Sequence, residues 1–99
     1  MPHGLNWYKE VNTMSKGKEL EKALEKIPND VRESLDGYHS TLVFHNLFYP
    51  RSDLSDSRVV HIRGKIRGYI FCLFELGMIE EGEIDYLVWH FDPMGRYVP

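Results

Sequence analysis

Five histidines and one cysteine are the residues of this chain best equipped for catalysis or metal binding, and their spacing serves neither purpose. His3, His39, His45, His61 and His90 are scattered. No HExxH run or paired Cys/His spacing is present, and a lone cysteine excludes the usual thiolate clusters, so no metal site is expected. His45 lies in "VFHNLF" among apolar neighbours, the setting of a hydrogen-bonded core histidine. Cys72 as a nucleophile would need an activating base and exposure, whereas Phe71 and Leu73 flank it, so a buried thiol is expected. Ser15, Ser34 and Ser40 lack a GxSxG setting, and "GKIRG" lacks the GxxxxGK[ST] pattern of a phosphate loop. Glu80, Glu81, Glu83 and Asp85 lack the spacing of a calcium loop and suit a helix N-terminus instead. The reading has no catalytic residues and no cofactor, and the chain is not expected to be an enzyme.

Binding chemistry is better represented. Residues 51–68 carry five Arg/Lys against two Asp, net +3, while residues 75–92 carry six carboxylates and no Arg or Lys. Arg58, Arg63, Lys65 and Arg67, with His61 among them, form a candidate patch for an acidic protein or a nucleic acid. The competing reading is a solvated helix face matched to the acidic helix of its own chain or of a second copy. Near the start, Trp7 and Tyr8 are side chains of the kind that anchor interfaces. Expected partners are therefore another protein or a second copy. Nucleic acid is the alternative, disfavoured by a net charge of −3.

The elements that must position these groups follow from periodicity. Ninety-nine residues with 42% apolar content make one domain with one modest core. Residues 1–14 read as an arm and 93–99 as a tail. Leu20, Ala23, Leu24 and Ile27 form a helical stripe behind Ser15 as N-cap, ended by Pro28. Val31, Leu35, Tyr38 and Leu42 continue the helical spacing with Asn29 or Asp30 as cap, although Gly37 offers a break. Residues 41–49 are rich in β-branched and aromatic types, which leaves a short strand there as the alternative to helix.

A long helix is expected from about 56 to 76, capped by Asp53 or Ser55, with Val59, Ile62, Ile66, Tyr69, Ile70, Leu73 and Leu76 on one face. Phe71 and Phe74 widen that face, and Gly64, Gly68 and Cys72 form a strip of small residues for close helix approach. Gly77 is the expected C-cap. A last helix follows, with Ile84, Leu87, Val88 and Phe91 inward and Asp92-Pro93 as its stop. The fold class is thus mainly α, ending in an αα-hairpin over about 56–91. The hairpin does not suit DNA reading, because its second helix is acidic where a recognition helix needs cations or amides. The absence of a basic-then-apolar start and of an uncharged apolar span, together with a single thiol, suggests a cytoplasmic protein.

Overall fold

The computed structural model describes residues 17–48 and 56–94. They form four helices and no strand: α1 over 17–25, α2 (Asn29–Phe48), α3 (Ser57–Glu75) and α4 (Glu81–Phe91). Helices α2, α3 and α4 pack pairwise. The common core takes Ala23 and Ile27 from the α1 end, Leu35 and Leu42 from α2, Val59, Ile66, Ile70 and Leu73 from α3, and Ile84, Leu87 and Phe91 from α4. The αα-hairpin is present, made by α3 and α4.

Local chemistry explains the boundaries. Backbone bonds from Lys26 to Ala23 and from Ile27 to Leu24 tighten the end of α1 before Pro28. Neither Asn29 nor Asp30 caps the next helix from outside. Both lie within α2, whose first turn begins one residue earlier, with the Pro28 carbonyl accepting from the Arg32 N–H at 2.9 Å. Helix α2 runs unbroken through Gly37, and residues 41–48 are helical, so the strand alternative is not adopted over them. Its burial follows the Leu35, Tyr38 and Leu42 spacing, which only a helix keeps on one side.

The cap of α3 is Asp56, in place of Asp53 or Ser55, which lie outside the described residues. Its side chain accepts from the Arg58 N–H at 2.9 Å, and that bond lowers the Asp56 carboxyl below its ordinary value. At the far end Gly77 adopts φ +74°, and the Met78 N–H reaches back to the Leu73 carbonyl at 2.9 Å. Ile79 is then buried. This is the glycine C-cap expected from sequence, satisfying carbonyls that the last turn would leave unpaired.

Two expectations for α3 are corrected, the buried thiol and the inward placing of Phe71 and Leu76. Cys72 is exposed, as are Phe71 (47%) and Leu76 (69%). Among the described residues, no atom from another helix lies within 4 Å of a Cβ placed at Gly64 or Gly68, so the small-residue strip meets no helix of its own chain. The cause is geometric. Val59, Ile66, Ile70 and Leu73 point inward, and steps of 100° per residue put Gly64, Gly68 and Cys72 on the opposite side. Apolar residues nearly encircle the C-terminal half of α3, but neighbouring helices cover only one side of it.

Candidate interaction surface

The cations singled out in the sequence are the natural starting point, and each described one has an internal contact. Arg63 Nε and Arg67 Nη1 both lie 2.8 Å from Asp92 Oδ2. Asp92 is 1% exposed, the first residue past α4, and its Oδ1 accepts from the Met94 N–H at 3.1 Å. Burial pushes the Asp92 carboxyl up, but hydrogen bonds and charge from the two arginines outweigh it and hold the group below the ordinary carboxylate range. Lys65 Nζ stands 5.5 Å from the centre of the Tyr38 ring, a cation–π distance. Arg58 lies 3.6 Å from Asp56. The four side chains therefore make separate contacts: Arg63 and Arg67 brace α3 against the end of α4, Lys65 leans on α2, and Arg58 remains mostly in solvent at the helix start. Trp7 and Tyr8 lie outside the described residues.

A second internal pair was not legible from charge pattern alone. Glu83, buried in the first turn of α4, accepts from Lys26 Nζ at 2.7 Å and from the Glu80 N–H at 2.8 Å. Burial again opposes ionisation, and the lysine and backbone donors overcome it, so the Glu83 carboxyl is lowered and the Lys26 ammonium raised. Helix α4 is consequently pinned at both ends. Pro93 and Met94, the start of the sequence-defined tail, are buried.

Helix α2 presents a second apolar stripe, one that lies outside the core. Val43, Phe44, Leu47 and Phe48 are 38%, 61%, 71% and 64% exposed. They occupy the side of α2 away from Leu42, and the Phe44 and Phe48 rings sit 4.4 Å apart, centroid to centroid. Between α2 and α3 runs a half-open groove of about 440 Å³. Its α2 side is Thr41, Leu42, Phe44 and His45; its α3 side is Arg58, Val59, His61 and Ile62. The floor and walls are predominantly apolar, while the charged or titratable groups along it are one arginine and two histidines. No carboxylate lines it among the described residues.

Sequence reasoning missed this surface although its signal was available. Once 41–48 is read as helix, Val43, Phe44, Leu47 and Phe48 recur at one and four residues, and that stripe cannot share the core with Leu35 and Leu42. His45 borders the groove, where a core position was expected.

Among the described residues, no group of three His, Cys, Asp or Glu side chains is arranged to hold a metal ion, and no helix is long and apolar enough to cross a membrane. Searched against family models, curated proteins and solved structures, the chain matches none.

Proposed function

We propose that this protein is a small interaction or regulatory module that acts without catalysis, by docking an apolar segment of another protein along the α2/α3 groove. The carrying observation is the exposed stripe of Val43, Phe44, Leu47 and Phe48, which meets that groove at Phe44. Clustered exposed apolar side chains cost solubility, and on soluble proteins such patches mark interaction sites. His45, His61 and Arg58, whose side chain stays largely in solvent beside Asp56, line the groove with no carboxylate among the described lining residues and favour a partner segment with acidic residues beside its apolar ones. An amphipathic helix with apolar side chains at i and i+4 is the form that fits a groove between two helices. The alternative, accessory nucleic-acid binding through the basic half of α3, loses support because Asp92 engages both Arg63 and Arg67 and offsets one of their two charges.

The test is selection of phage-displayed helical peptides on the full chain, repeated on Phe44→Asp/Leu47→Asp. Peptides with i, i+4 apolar pairs beside Asp or Glu, retained by the unaltered protein and lost on the variant, support the reading. Both substitutions fall on exposed positions, so the variant should keep its melting temperature. Binders indifferent to the variant, or enriched in Lys and Arg, overturn it. Tight binding of a 20-bp duplex that weakens steeply with salt would favour the nucleic-acid alternative.

A further inference from the structure

Among the described residues, the outward side of α3 is a second exposed surface, which shares only His61 with the groove. His61, Gly64, Gly68, Phe71, Cys72 and Glu75 recur along it, mostly at steps of three and four, and all six are exposed. Val60 and Leu76, at its two ends, are 52% and 69% exposed. Each glycine inside a helix weakens it relative to alanine. Among the described residues, no contact at Gly64 or Gly68 offsets that cost.

We propose that this face is covered by a second copy of the chain, two α3 helices packing antiparallel across a two-fold axis at Gly68. Charge chooses the occupant. The N-terminal half of this face carries His61, with Arg58, beside Asp56, and Lys65, over the Tyr38 ring, at its margin, while Glu75 closes the helix. An antiparallel pair sets each basic half beside the other copy's acidic end, His61 meeting the partner's Glu75 twice over. A parallel pair would set like against like. Shape agrees with charge: Gly68 faces the partner's Gly68, and each Phe71 ring lies over the partner's Gly64, in the space a Cβ would take. Such a surface is complementary to itself, which is what a two-fold contact requires. Small side chains at the crossing also let the helix axes approach closely.

Size sets the strength. A 19-residue helix is about 28 Å long and about 10 Å across, so half its circumference presents roughly 450 Å² per copy. The dimer therefore belongs to the weak, reversible class.

Cross-linking and sedimentation test it. In a Cys72→Ser background, Gly68→Cys puts two thiols on the axis within disulfide reach. The native Cys72 stands four residues beyond the axis, so it and its mate are about 12 Å apart along the helices and should not bridge. The expected result is rapid oxidative dimerisation of the Gly68→Cys/Cys72→Ser protein, little in the unaltered protein, and a concentration-dependent sedimentation coefficient that Phe71→Glu abolishes at unchanged helix content. A monomer at every concentration up to about 1 mM, or faster cross-linking through native Cys72 in the unaltered protein than through the thiol that Gly68→Cys introduces on the axis, overturns the proposal. Phe44→Asp/Leu47→Asp lies on α2 and leaves dimerisation intact, which separates this test from that of the groove.

Discussion

Asp92 shows how one side chain can decide the role of two others. Arg63 and Arg67 are 20% and 38% exposed and can recover hydration if they lose their partner, whereas Asp92, at 1%, cannot. Removing the arginines should therefore cost more than removing the acid. Arg63→Ala/Arg67→Ala takes both cations away from a buried carboxylate and should destabilise by about 3–5 kcal/mol. Asp92→Asn keeps the shape, loses charge-assisted bonds, and should cost about 1.5–3 kcal/mol. Urea unfolding of both variants measures the difference; equal costs, or a change under about 0.5 kcal/mol in the double variant, would mean that the pair is not buried as described. A partner-binding assay on arginine variants must therefore be read beside their stability.

At the scale of elements, the core face of α3 and its glycine stop make sharper predictions than its charge. Ile66→Ala, Ile70→Ala and Leu73→Ala should each cost about 2–5 kcal/mol, because each leaves a cavity among helices that cannot collapse fully. Cys72→Ala, one residue from Leu73 but outward, should move stability by less than about 0.5 kcal/mol. Gly77→Ala should cost about 1–2 kcal/mol, since a Cβ is strained at φ +74° whatever space surrounds it. Thermal melts of these five variants check both the facing of α3 and the turn.

The same elements show what could be read from sequence. The three- and four-residue spacing located α3 and α4, the inner faces of both, the stop at Gly77 and the stop at Asp92-Pro93. Periodicity could say which residues share a side of a helix but not how many sides acquire a neighbour, so Phe71, Leu76 and Cys72 were expected inside and lie outside. Asp92 escaped as an ion-pair partner because a residue just past a helix end belongs to no repeating pattern. Its partners precede it by 29 and 25 positions, a separation that only the folded hairpin closes. The α2 stripe escaped for a different reason: while strand and helix both stood for 41–49, its residues had no assigned side.

For the molecule as a whole, α4 is held by ionised acids at both ends, and acid should release it as a unit. Glu83 joins its first turn to Lys26 at the end of α1, and Asp92 joins its C-terminal end to α3. Both carboxyls are lowered in the folded state although burial alone would raise them. A group with a lowered folded pKa binds its proton more readily when unfolded. Its stabilisation is therefore complete above the unfolded carboxylate range, about 3.9–4.3, and is lost as pH falls through the lower folded values. Stability should accordingly be level from about pH 7 to pH 5 as far as these two groups contribute, then drop below about pH 4. Hydrogen exchange in α4 should accelerate before that of Ile66 and Ile70 at the centre of α3, because α4 is only 11 residues long and keeps little helicity without its tertiary contacts. Glu83→Gln/Asp92→Asn removes both titrations. That protein should be less stable at pH 7 yet show a shallower fall between about pH 4 and pH 2. Denaturant midpoints across this range for the two proteins decide the matter: parallel acid limbs would place the acid sensitivity in other carboxylates and leave the pinned-helix account without support.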